Sequence, residues 1–438
     1  PMNTRFPLLL LALLLSASLA AKDLTDVKMT VSGMTVNMDN GKTKIVIGST
    51  GRVSSMKFNG TQELLGSNGI YFDYTTDNGN QVLNPTKMEV IKQTPEMCEV
   101  LYSATSGNTI FQQGYIMRND IAGVYTYVVA TGTATSKNEP LKEVRVCTRL
   151  ASNMLYGYVD DRMTGRMPTN DEMAIAEQSQ IQDATYYLLD GSIYTKYNWA
   201  NYIERDDVHG SCSKDVNVTA YGVWNIPVSY EWINGGPDRQ ELMVHATSKS
   251  PITIQMLQGE HLGGSALVLN DGEKKLYGPF LIYANYSTAP LTNAKRIAKE
   301  QQEQWPFQWF DHELYPKERG TVSGHLNLTT GQRNDKVRVV LAQEEDKELI
   351  TQTHGYQFWT TTDENGDFII RNVRPGDYTL YAYAQAGEVT DELQLKNITV
   401  AAGEQSLGTI DWHPTKYSRL LWMIGENDRR SSEFNYSD

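Results

Sequence analysis

The sequence predicts an all-β protein made of two sandwiches, a large antiparallel one and a smaller one after it. Three observations carry this. Short segments alternating apolar and polar residues, rich in β-branched side chains and punctuated by Gly, Asn and Asp, recur along most of the 438 residues. That two-residue period marks half-buried strands. A single helical window, TNAKRIAKEQQEQW, interrupts them. The chain is also longer than one core serves, since single cores stop growing at about 250 to 300 residues.

Taken in order, residues 1–21 read as a secretory leader: Arg5 in a basic start, an apolar run from Pro7 to Leu15, and small residues before Lys22. The run is shorter than the roughly 18 apolar residues of a spanning helix. A secreted protein, extracellular or periplasmic and without a membrane span, is therefore expected. Residues 22–290 hold strands such as VKMTVSGMTVNMDN, VYTYVVATG, EVRVCTRL, PITIQML and PFLIYANYS and form the large sandwich. Residues 291–318 are a helical connector, with Thr292 or Asn293 as N-cap and Pro306 beyond its end. Strands at close spacing with Gly-rich turns resume over 319–412, among them DKVRVVLAQ, GDFIIRNV and GDYTLYAYA, and predict a small immunoglobulin-like or fibronectin-III-like sandwich. Residues 413–438 open a further apolar segment that a lone strand cannot bury unaided.

A formal charge of −13 excludes a nucleic-acid partner, whose phosphates demand a basic footprint. It allows an acidic polysaccharide, because long-range repulsion is screened beyond about 8 Å at physiological salt and local cations can do the binding. Cys98, Cys147 and Cys212 are too few and too scattered for a disulfide framework or a CxxC zinc site; the sequence leaves one bridge open, with buried thiols the expectation. Asn59, Asn217, Asn285, Asn327 and Asn397 stand in N-x-S/T triplets.

The segment YTKYNWANYIERDDVHG, residues 194–210, sets Lys196 among aromatics and ends near His209, one of seven histidines. Two readings compete: ordinary charges on a strand and loop, or a base and an acid facing a substrate. Arg162 and Arg166 in DDRMTGRMP suit bidentate grip of a carboxylate, or ion pairs with Asp160 and Asp161. Glu231, in SYEWINGGP, reads equally as a cleft carboxylate or a strand-end acid. Tyr202 is the aromatic best placed for a sugar face, whereas Trp224 is assigned to packing. His245, His261 and His354 lack metal-ligand spacing, so no cofactor is required, while TTDENGD leaves room for a structural calcium.

The ordered set DDRMTGRMP, TKYNW with VHG, GVWNIPVSYEWINGGPDRQEL, LYGPFLIYAN, GYQFWTTTDENGDFIIRNVRPGDYTLYAYA and LWMIGENDRRSSEF resembles the rhamnogalacturonan lyases of polysaccharide lyase family 4 and covers nearly the whole chain after residue 21. The resemblance implies a catalytic β-sandwich, a fibronectin-III-like middle domain, and a third, carbohydrate-binding-like β-domain that begins at 413–438 and is otherwise missing from this chain. It implies β-elimination at O4 of galacturonic acid in rhamnogalacturonan I, an acidic plant cell-wall polysaccharide. By the same resemblance Lys196 is the base, His209 the acid or charge stabiliser, and Arg162, Arg166, Tyr202 and Glu231 bind substrate. A lysine serves as base only when burial or nearby cations lower its pKa. Glu204 and Asp206 stand where the family is richer in tyrosine. Two other functions fit the same residues: a pectin-binding protein without catalysis, and a hydrolase pairing Asp160 or Asp161 with Glu231.

Overall fold

The computed structural model describes residues 24–133, 139–328, 336–344, 347–416, 419 and 421–432. The leader expected over 1–21 lies outside them. Among the described residues a ten-stranded and a nine-stranded sheet, both antiparallel, pack face to face. The first sheet runs from Lys28–Ser32 at one edge through Leu65–Thr76, Glu143–Leu150 and Ile252–Gly259 to Val244–His245. The second places His209–Cys212, Ala220–Ile226, Lys274–Ser287, Gly123–Gly132 and Thr109–Arg118 side by side. Ile70, Phe72, Val144, Val146, Phe111, Tyr115 and Phe280 fill the space between them. This is the large antiparallel sandwich the alternation predicts.

On the outer face of the nine-stranded sheet Gly114 lies opposite Tyr127, whose hydroxyl donates to Glu99 at 2.7 Å. A Cβ on Gly114 would come within 2.1 Å of the Tyr127 ring. Gly114→Ala is expected to cost about 1–3 kcal/mol by overpacking, read as a lower denaturation midpoint.

The connecting helix, Pro290–Gln304, starts on Pro at its first position, with Ala289 and not Thr292 or Asn293 at the N-cap. Proline has no N–H to satisfy there, so no side-chain cap is needed. Leu291, Ala294, Ile297 and Ala298 bury one face against the outer side of the nine-stranded sheet, with Tyr125 and Phe307. A second helix, Asn170–Ala176, has no counterpart in the strand reading. Thr169 and Glu172 form a reciprocal capping box there, a T-x-x-E signal present in the sequence.

After the helix, three-stranded and four-stranded sheets make the small sandwich, with Val322, Val339, Phe368, Leu380 and Ile398 inside. Its strands Gly320–Leu328 and Gly403–Trp412 pair in parallel, the exception among the described residues to an otherwise antiparallel scheme. Cys98, Cys147 and Cys212 are all free and buried. Asn285 is buried too: its amide donates to Pro290 O at 2.9 Å and its Oδ1 accepts from Trp224 Nε1 at 3.1 Å, so a glycan does not fit there.

Candidate active site

The strand Glu143–Leu150 alternates strictly. Val144, Val146, Thr148 and Leu150 point into the core, which turns Glu143, Arg145, Cys147 and Arg149 to the outer face of the ten-stranded sheet. Register places Arg145 beside Asp73 and Cys147 beside Tyr71 on the neighbouring strand. Arg145 is held by Asp73 (2.7 and 3.0 Å) and by Glu143 (3.1 Å). Arg149 differs: it donates to the Tyr71 hydroxyl at 3.4 Å and to Thr247 Oγ1 at 3.1 Å. Among the described residues it has no carboxylate partner.

A second wall comes from a small hairpin sheet, Gln180–Gln182, Thr185–Tyr187 and Ile193–Thr195, and the 3₁₀ turn Lys196–Trp199 after it. Lys196 N–H donates to Ala184 O at 3.1 Å, and Met243 N–H to Trp199 O at 3.0 Å, pinning both ends of the turn. Lys196 Nζ stands 4.8 Å from the centre of the Tyr197 ring and, like Arg149, meets no carboxylate among the described residues. The Tyr197 hydroxyl donates to Asp183. Burial and that carboxylate push its pKa up and keep it protonated. Beyond Tyr197, His261 pairs with Glu143 at 2.8 Å, which raises its pKa.

Lys196, Asp183, Glu177, His245 and Thr247 border one cavity of about 230 Å³. His245 Nδ1 lies 2.9 Å from Ala246 O, an atom that can only accept, so Nδ1 carries the proton and Nε2 is left with a bare lone pair. Burial, reinforced by the charges of Lys196, Arg149 and Arg145, depresses the His245 pKa to about 3. Its ordinary value is 6.5, so between those limits the unfolded chain binds a proton that the folded chain refuses. Stability from this residue is present above pH 6.5 and lost as pH falls toward 3. Thermal denaturation at about pH 7 and about pH 4 checks this: the drop in Tm should be smaller in His245→Gln than in the parent.

Of the residues expected at the site, Lys196 alone reaches this cavity. His209 is fully enclosed, with Nδ1 2.9 Å from Asp206 Oδ2, and Nε2 2.8 Å from Ile254 O and 3.1 Å from the Asn225 amide. Tyr230 also donates to Asp206. No hydrogen bond, ion pair or cavity joins His209 to Lys196 among the described residues: the pair that the resemblance implies is not brought to one cavity, and His209 lies in the interior. Glu231 is likewise no cleft carboxylate. It is buried at the junction of the two sandwiches, 2.5 Å from Arg319 and 2.6 Å from Arg374. Burial alone would raise its pKa, but the two guanidiniums hold it below the usual value. Tyr202 is buried, and its hydroxyl accepts from Ser431 N at 2.9 Å instead of facing a sugar. Arg162 is bound to Asp160 at 2.9 and 3.0 Å. Arg166 is half exposed, 3.5 Å from Glu172.

Arg149, Arg145, Tyr71 and His245 were not singled out by motif. For the two arginines the signal was the polar set E-R-C-R alternating with the core set in EVRVCTRL; Tyr71 and His245 lie outside that stretch. Among the described residues no group of three or more His, Cys, Asp or Glu converges as a metal site. In the TTDENGD turn, Asp363 Oδ1 accepts the N–H groups of Asn365 and Asp367 at 2.9 Å.

The fold and the site together define a β-sandwich protein that brings a lysine and a neutral imidazole to one open cavity, with Arg149 bonded to Thr247 at its border. Residues 15–189 match the rhamnogalacturonate lyase family, and residues 318–406 match domain II of polysaccharide lyase family 4. A rhamnogalacturonate lyase of Dickeya dadantii is 32% identical over 94% of this chain and 70% of its own length. A probable rhamnogalacturonate lyase B of Aspergillus terreus is 23% identical over 94% of this chain and 66% of its own. A rhamnogalacturonate lyase B of Emericella nidulans is 24% identical over 74% and 52%. The chain belongs to the rhamnogalacturonate lyase family, polysaccharide lyase family 4.

Proposed function

We propose that this protein cleaves the rhamnose–galacturonic acid bond of rhamnogalacturonan I by β-elimination, with Lys196 as the base. The observation that carries the reading is the placement of Lys196 and neutral His245 on one cavity, with Arg149, which has no carboxylate partner among the described residues, bonded to Thr247 at its border in a chain of net charge −13. An anionic sugar is drawn to such a place, and a guanidinium suits its carboxylate.

Arg149 meets the uronate carboxylate and limits the negative charge that builds up as C5 loses its proton. Lys196, as the free amine, takes that proton. The C5–H electron pair forms the C4–C5 double bond, and the C4–O4 bond breaks. The ammonium left on Lys196 returns a proton to the departing O4 oxygen, the step for which enclosed His209 is out of reach. His245 Nε2 accepts a hydrogen bond from a sugar hydroxyl or from the lysine and orients it. The product carries an unsaturated uronate that absorbs in the ultraviolet.

The hydrolase pairing is disfavoured because Glu231 is bound to two arginines. Product analysis on rhamnogalacturonan I and homogalacturonan tests the proposal: ultraviolet-absorbing ends on the first substrate are expected. Saturated ends would mean hydrolysis, and intact polymer a binding protein. Arg149→Ala is expected to raise KM as well as lower kcat, because ground-state binding of the carboxylate goes with it. Initial rates over a range of polymer concentrations check this.

No helix among the described residues is long and apolar enough to cross a membrane. Export through the 1–21 leader belongs to the same proposal, supported by its basic start, apolar run and small residues. Amino-terminal sequencing of secreted material should begin close to Ala21.

A further inference from the structure

The 3₁₀ turn Leu349–Thr351 and the loop that follows it to Tyr356 belong to the small sandwich and lie against the strand Lys274–Ser287 of the large one. Alternation along that strand sends Leu276 to the outer face and Tyr277 to the core, so Lys275 turns inward beside Tyr277. Lys275 is 2% exposed, and its Nζ stands 5.3 Å from the centre of the Tyr277 ring. Nζ donates to the carbonyl oxygen of buried Thr353 at 2.7 Å and meets no carboxylate among the described residues. We propose that Lys275 makes the junction of the two sandwiches pH-sensitive: the loop clasps the large sandwich while the lysine is a neutral amine, and its hold weakens when the amine takes a proton.

The geometry suits an amine better than an ammonium. An ammonium brings three donors and a full charge to a buried place that offers one carbonyl. The nearby carboxylates are engaged elsewhere: Glu273 pairs with His354 Nδ1 at 2.5 Å, and Glu344 pairs with Lys347 while accepting the N–H groups of Thr353 and His354 at 2.6 and 3.0 Å. Leu276 N–H donates to the Tyr356 hydroxyl at 3.1 Å, so the contact at Lys275 is one of three that hold the loop to this strand and the turn before it. Burial is the largest influence on Lys275 and lowers its pKa to about 7, with Glu344 and Glu273 acting to raise it and Arg239 and Arg374, one from each sandwich, acting to lower it. An opened junction returns the amine to water, where its ordinary value is 10.5. From about 7 to 10.5 the open form therefore binds a proton that the closed form refuses, and opening becomes about tenfold rarer for each pH unit gained. Below about 7 both forms are charged, and the cost of closure stays at its full value.

Hydrogen exchange of the full chain, corrected for the intrinsic pH dependence of amide exchange, reads that opening at the backbone of residues 349–357. Between about pH 7 and about pH 9 their protection is expected to rise by about tenfold per unit in the parent. Lys275→Met fills the same space without a titrating group, and its protection should be high at pH 7 and flat across the range. Lys275→Arg keeps a charge that it cannot shed, and its loop should stay poorly protected throughout. Flat protection in the parent, or an equal rise in parent and Lys275→Met, overturns the proposal. If neither variant folds, the parent decides alone: the tenfold rise supports the proposal and a flat profile ends it. None of these readings involves Lys196 or the release of unsaturated product, so failure of the lyase reading is told apart from failure of the junction.

Discussion

Replacing Lys196 with alanine is expected to cut the formation of unsaturated product by roughly 100-fold or more while leaving polymer binding largely intact. Its Nζ is the atom in the cavity that can both take a proton as a free amine and return it as an ammonium. Lys196→Arg tests that role against charge alone. A guanidinium supplies the cation but cannot be deprotonated in a protein, so it should not restore turnover. The fold should survive either change, since Lys196 is half-buried at a cavity edge and its backbone N–H keeps the bond to Ala184. The measurement is initial-rate product formation beside a binding assay on the same variants. Near-normal turnover in folded Lys196→Ala would end the mechanism.

Glu231→Ala is expected to destabilise the protein by about 3–5 kcal/mol, because it leaves two buried guanidiniums without their counter-charge. Arg319 and Arg374 come from the small sandwich side of the junction. They stack on aromatics as well, Arg374 3.6 Å from the Tyr356 ring centre and Arg319 4.9 Å from that of Trp305. Neither can turn to solvent without undoing that packing. Denaturant titration followed by fluorescence and circular dichroism should show a lower midpoint, with the two sandwiches no longer unfolding together. Arg319→Met and Arg374→Met added to Glu231→Ala should recover part of the loss, since a whole buried ion cluster replaced by apolar groups is often tolerated. An unchanged midpoint in Glu231→Ala would show that the triad does not hold the junction.

The all-β class, the large and small sandwiches and the helix between them were legible in the chain itself. Strand alternation and helix periodicity are local properties, carried by residues two to four positions apart. The family was legible for a related reason: its words stand in order along the chain. Lys196 was legible as part of such a word. Its partners were not. Lys196 and His209 are separated by a short stretch of sequence, yet after Tyr202 the chain turns beneath the sheet, and His209 finds Asp206 and Ile254 O in the interior. Arg149 and His245 are far from Lys196 in sequence and reach its neighbourhood only because strands Glu143–Leu150 and Val244–His245 both flank Ile252–Gly259. Glu231 reads as a strand-end acid until the small sandwich brings two arginines against it from 88 and 143 residues away. A sequence by itself determines which residues can lie on one face of one strand. Which strands become neighbours, and so which side chains share a cavity, was decided by long-range sheet pairing and domain contact, whose partners no local pattern names.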